Sequence, residues 1–312
     1  MNNVPSDPTP FFVQLLVAVA PEKSQEVLRY VEDHHVTFAV DESSDRILFQ
    51  ANGRNQRIVV GLRCIARLWA SAFAYFRIYT DVAEAKSENP QIRERDLRSS
   101  ERMREAGDIL KWAIETDIAI ILAESTGLRL DSPLDALPFA LPQPFAYAEY
   151  ASDPHVADEL CLMALGYILH HELAHLRLRH EPTTGVVSIL QEKEADRAAA
   201  DWLLGALDDE SNPMFVKRAL GIAVGLSWLA SLNIYVGTTS RNTHPPAYDR
   251  LFQVLSQHVQ DGENPVWGMV SLILALHLQN QGVQWGEDIQ FDSFNDAANY
   301  YVEQIAKMDS SN

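Results

Sequence analysis

The sequence predicts a mainly α fold of the α+β kind, with a small β element near its N-terminus. Three observations carry this reading. Alternating, strand-like patterning is confined to the stretch before Ile58. Beyond it, apolar residues recur at helical spacing in one long segment after another. One of those segments, Val156 to Leu178, is apolar on nearly every side, as expected of a helix at the centre of a domain.

Taken in order, Phe11 to Ala20 is an apolar run, but Asp7 precedes it where a signal peptide carries Lys or Arg, and Pro21-Glu22-Lys23 is a poor cleavage site. Residues 36–50 read as two short strands, 36–40 and 46–50, around a polar turn, and Asn52-Gly53 is a second turn signal. From Ile58 to about Thr80 the pattern is helical, and Glu101 to Ser125 is an amphipathic helix. Leu128 to Pro154 holds five prolines, so no regular helix persists through it. Its Phe139, Phe145, Tyr147 and Tyr150 favour an extended segment packed over the following domain rather than a polar linker. Helices are expected at 156–179, 188–206, 214–236, 245–258, 265–281 and 292–307, with Ser188 and Gln191 as a capping box for the second. The chain therefore divides into an N-terminal region (1–127), a Pro-rich segment (128–155) and a helical domain (156–312).

With 43 Asp and Glu against 25 Lys and Arg, the net charge is −18. That excludes a duplex nucleic-acid binder, which needs basic surface to neutralise phosphates, and a peripheral anchor on anionic lipid. Cys64 and Cys161, the two cysteines, lie in helix-like stretches, so a disulfide framework is not expected and a reducing, cytoplasmic setting is. Two uncharged stretches, Ala219 to Val236 and Pro265 to Val283, approach the length of a membrane span. Their internal Ser, Asn, Gln and His residues favour buried core helices, with membrane association as the alternative.

The chemistry concentrates in His171-Glu172-Leu173-Ala174-His175. Residues four apart share one helix face, so the two imidazoles can converge on one Zn²⁺. Glu172 then points beside the metal, where it can take a proton from a water acidified by the ion. By itself the motif also fits two satisfied core histidines. A third, anionic ligand has to come from a neighbouring helix, and Glu192-Lys193-Glu194-Ala195-Asp196 supplies candidates. Glu192 is the expected ligand and Glu194 its competitor. Asp196, one turn on from Glu192, is placed to accept the free ring N–H of a ligand histidine. A three-histidine site of this motif class needs Gly and His where Leu178 and Glu181 stand. His180 is expected to cap a helix end or to be solvated, and His170 to face another direction.

A third element, Thr243-His244-Pro245-Pro246, precedes Arg250. Thr243 or His244 can cap a helix whose first residue is Pro245. His244, Arg250 or a nearby Tyr is a candidate donor to the oxyanion of a tetrahedral intermediate. Equally, His244 and Arg250 can simply tie this helix to the histidine helix.

These three elements together resemble the core of the M48-type gluzincin metallopeptidases. Within that group the length, the acidity and the lack of a four-span membrane pattern look most like the Lit-type phage-exclusion peptidases. The resemblance covers roughly Val156 to Leu255. It implies a zincin-like catalytic domain with His171, His175 and Glu192 on zinc, Glu172 as general base, and Asp196 and Arg250 in support. It also implies a dormant bacterial protease that cuts a host translation elongation factor when phage triggers it. The competing readings are a non-catalytic metal-binding sensor or interaction module, and a membrane-associated M48-type protease.

Overall fold

A computed structural model describes residues 7–42, 48–89, 100–126, 141–236, 245–283 and 289–311. The chain enters through α1 (Thr9–Val19), a short 3₁₀ turn and α2 (Ser24–Asp33). Phe12, Leu15, Leu16 and Val19 are the buried face of α1, spaced at three and four residues, so the apolar run near the N-terminus is a core helix.

Three strands follow: β1 (Thr37–Asp41), β2 (Phe49–Asn52) and β3 (Arg57–Gly61). They form one sheet in the order β1-β3-β2, with β1 parallel and β2 antiparallel to β3. The two expected strands are present but do not pair with each other. Ile58-Val59-Val60, taken from sequence as the start of a helix, is instead a β-branched strand that inserts between them. This insertion leaves β2 on the sheet's edge.

The rest is helical: α3 (Leu62–Glu88), α4 (Glu101–Thr126), α5 (Asp153–Arg177), α6 (Val186–Leu204), α7 (Pro213–Val236), α8 (Ala247–His258), α9 (Pro265–Asn280) and α10 (Phe294–Ser311). The mainly α architecture with a small N-terminal β element is thus observed. One continuous apolar core runs through it, from Phe12 on α1 to Ile305 on α10. α5 lies at its centre, buried on nearly every side and packed against α1, α3, α6 and α7. Pro154 occupies its first turn, where a missing N–H costs nothing.

Two helix starts differ from the sequence reading. α6 begins at Val186 rather than Ser188, because Gly185, at φ 71°, turns the chain directly into the helix, and no side chain caps it. The Ser188–Gln191 capping box is therefore not formed. α8 begins at Ala247 with Pro246 as its N-cap, not at Pro245. A residue followed by proline is pushed out of the helical region, and Pro246 does this to Pro245. Thr243 and His244 lie outside the described residues.

The two stretches weighed as membrane spans, in α7 and α9, are packed into the core. Among the described residues, Pro213–Ser231 alone is long and apolar enough to cross a bilayer, and most of it is buried within the protein. Cys64 and Cys161 are free and buried, and desolvation raises the pKa of both, Cys64 to about 11.

α7 backs α5 through a glycine contact. A Cβ on Gly221 would fall 2.2 Å from Cβ of Met163 and 3.0 Å from its carbonyl carbon, so the helices must separate to admit it. Overpacking of this kind costs about 1–3 kcal/mol. Gly221→Ala should lower the unfolding free energy by that amount in chemical denaturation. Gly53→Ala, in a turn where a Cβ meets nothing within 4 Å, should change it little.

Candidate active site

The buried core of α5 presents His171 and, one turn later, His175, with Glu172 beside them. α6 crosses this face with Ser188, Glu192, Ala195, Asp196 and Ala199 turned inward, a helical stripe in which the alanines allow close approach. The spacing brings three donors together. Nε2 of His171 and Nε2 of His175 are 3.1 Å apart. Oε2 of Glu192 is 3.5 Å from the first, and its Oε1 is 3.4 Å from the second. In a tetrahedral site with bonds of about 2.0–2.1 Å, neighbouring donors lie about 3.3–3.4 Å apart. The two imidazoles are at about that spacing and each has one Glu192 oxygen at a similar distance, so these residues could hold a metal ion.

The surroundings fit the same group. Asp196 lies 2.9 Å from Nδ1 of His171, off the line of a regular hydrogen bond. It also accepts from the Tyr167 hydroxyl at 2.9 Å and from Arg250, whose Nε and Nη2 each reach it at 2.7 Å. Burial alone would raise the Asp196 pKa, yet Arg250 and His171 hold it well below the usual carboxylate range. Burial likewise disfavours the His171 cation, but Asp196 and Glu192 outweigh it and carry that group up to about 10. Glu192 and Asp196 bring two buried carboxylates, and the Arg250 guanidinium offsets one. With the proton that Asp196 and Glu192 hold on His171 the cluster is balanced, and a bound cation would take that proton's place.

Glu172 stands apart from this cluster. Burial pushes its carboxyl up to about 7, against the lowering pull of His171. Its Oε2 accepts a hydrogen bond from the backbone N–H of Ala51, on β2, at 2.6 Å. Thus the sheet edge touches the second residue of the histidine motif.

Of the site residues expected from sequence, His171, His175, Glu192, Asp196 and Arg250 come together, with Glu172 alongside. Glu194 does not join them. It sits two residues past Glu192 and points elsewhere, with Oε2 3.1 Å from Nε2 of His180. Arg250 is engaged by Asp196, and its Nη1 is 3.6 Å from Glu192, so it ties α8 to α6. His170 is buried, stacked on Trp202 at 5.3 Å and within 3.3 Å of the Leu16 carbonyl, away from the cluster. His180 caps the end of α5 through its backbone N–H, which bonds to the His175 carbonyl, but its ring is not solvated and contacts His175. Three contributors escaped sequence reasoning: Tyr167, Ala51 and His180. Tyr167 stands one turn before His171, a spacing that could have marked it; nothing local marks Ala51 or His180.

Known proteins agree with a peptidase. The peptidase U49 family model matches residues 58–270, which takes in β3, α5, α6 and α8. The chain belongs to the peptidase U49 family. It is similar to the cell death peptidase of Escherichia coli (strain K12), 31% identical over 259 residues that cover 82% of each chain. No solved structure matches it. As a U49 peptidase the chain hydrolyses peptide bonds, and its substrate is a protein.

In this U49 chain the Arg250–Asp196 pair is nearly buried, its side chains 10% and 3% exposed. Removing one partner of such a pair leaves a charge without its counterion, at a cost of about 3–5 kcal/mol. Arg250→Met should lower stability by that order in urea denaturation, and Arg250→Met combined with Asp196→Asn should recover a large part of it.

Proposed function

We propose that this U49 peptidase is a zinc-dependent endopeptidase. The observation that carries the proposal is the convergence of His171 Nε2, His175 Nε2 and the Glu192 carboxylate, with 3.1 Å between the ring nitrogens and 3.5 and 3.4 Å from them to the carboxylate oxygens. Zinc bound there would acidify a water and polarise the scissile carbonyl.

The chain's own residues do the rest. Glu172 receives the proton of the attacking water and passes it to the departing amine nitrogen. Desolvation fits it for both tasks, since a carboxyl carried up to about 7 accepts and returns a proton near neutrality. The Ala51 N–H fixes one carboxylate oxygen and leaves the other to meet the water. Arg250 and Tyr167 hold Asp196 against His171, which keeps that ring turned toward Glu192.

Substrate alignment follows from the sheet. Gly61 N–H bonds to Leu48 C=O, and β2 pairs with β3 in the register Phe49↔Val60. Backbone groups alternate along a strand, so those of Phe49 and Ala51 face away from β3, and Ala51 meets Glu172 there. A substrate in extended form can add to this edge. We assign the pairing edge to β2 and keep the Pro-rich residues 128–150 as a proposed lining of the cleft. Residues 128–140 lie outside the described residues, and Tyr147 and Tyr150 are exposed on the remainder.

The resemblance to Lit-type phage-exclusion peptidases makes a host translation elongation factor, cleaved in the cytoplasm on a phage signal, the proposed substrate. The relative's name, cell death peptidase, fits such a role. His244 is retained as a proposed oxyanion donor on the same resemblance.

The test compares wild type with Glu172→Gln and His171→Ala. Wild type and Glu172→Gln should each carry about one zinc per chain by elemental analysis, and His171→Ala should carry none. Glu172→Gln should lose roughly 10²–10⁴-fold in kcat. Proteomics of cells expressing the first two should show fragments with wild type only. A zinc-free wild type, or proteolysis that survives Glu172→Gln, would overturn the proposal.

A further inference from the structure

α5 does not simply fray after His175. Arg179 N–H bonds to Leu176 C=O at 3.2 Å and His180 N–H to His175 C=O at 3.0 Å, the paired closure that usually places glycine in a left-handed conformation between them. Here that residue is Arg179, at φ 56°, a conformation an L side chain adopts only when its surroundings impose it. The turn folds the chain back so that the His180 ring lies edge-on to His175, with centroids 4.9 Å apart and planes at 72°.

The contact is polar. Nδ1 of His180 is 2.9 Å from Nδ1 of His175, and Nε2 of His180 is 3.1 Å from Oε2 of Glu194 on α6. Two ring nitrogens meet this closely when a hydrogen or a metal ion lies between them, and the Nδ1 pair stands on the side of His175 away from the proposed metal. Nε2 of His175 faces His171 and Glu192, so its lone pair belongs to the cleft and the proton to Nδ1. His175 therefore donates to His180. The remaining nitrogen of His180 then carries a hydrogen and donates to Glu194. The His180 side chain is 7% exposed, while Glu194 is 65% exposed and so closes the chain from the surface.

We propose that His180, oriented by Glu194, is a positioning residue that fixes the tautomer and ring angle of His175. This rests on the metal-ligand reading above and adds a role for two residues outside the ligand set. It makes the site asymmetric: His171 leans on the carboxylate of Asp196 directly, whereas His175 leans on a carboxylate through an intervening imidazole. Partners of this kind set ligand orientation and basicity, and their loss typically weakens metal binding 10–100-fold.

The experiment is a competition of the full-length protein against a chelator for Zn²⁺, with the Co²⁺-loaded absorption spectrum as a second readout. His180→Ala should bind Zn²⁺ about 10–100-fold more weakly and shift the Co²⁺ bands, with the melting temperature of the metal-free protein unchanged. His180→Asn puts a carbonyl oxygen near the position of Nδ1 and should restore affinity to within a few-fold. Glu194→Gln, on the surface, should weaken binding by less than His180→Ala. Wild-type affinity and spectrum in His180→Ala would overturn the positioning role while leaving the metalloprotease reading intact, as would an Asn variant no better than the Ala one. A wild type that binds no Zn²⁺ would overturn both.

Discussion

The site depends on how closely α6 can lie against α5. Two imidazoles one turn apart on a helix are a common accident; a carboxylate arriving between them from a second helix is not. Ala195 and Ala199 keep the α6 face low, and Gly221 lets α7 press α5 from behind, so the histidine helix is held from both sides by small residues. The contact gathers Glu192 and Asp196 into a buried space where the Arg250 guanidinium and the His171 imidazolium offset them. Burying so many charges is costly even when they are paired, and proteins tolerate it where function draws on it.

A second dependence links the N-terminal sheet to the central helix. β2 becomes an edge strand only because β3 inserts between it and β1, and that edge delivers the Ala51 N–H to Glu172. Glu172, the proposed general base, is thus held by a residue over a hundred places away in sequence. On the proposed reading the same strand would also align an extended substrate, through outward backbone groups other than the Ala51 N–H.

Much of this was legible in the sequence where the signal is local. The four-residue spacings His171–His175 and Glu192–Asp196 are helix-face statements, and both survive in the structure. So does the central position of α5, announced by apolar residues all round. The β-branched run Ile58-Val59-Val60 was misread because it abuts a helical stretch, and periodicity over so short a run does not separate strand from helix. The capping box failed because Gly185 supplies a turn that needs no side-chain cap. Ala51 and His180 were out of reach for another reason. Their roles come from a sheet order and from a left-handed turn at an arginine, neither of which leaves a pattern in neighbouring residues.

The central claim is that one divalent ion sits among His171, His175 and Glu192, and anomalous X-ray diffraction at the zinc edge from zinc-grown crystals tests it most directly. The account predicts a single strong anomalous peak about 2.0–2.2 Å from Nε2 of each histidine and from a carboxylate oxygen of Glu192. A peak elsewhere, or density showing the two imidazoles bonded only to one another with no ion between them and Glu192, would contradict it.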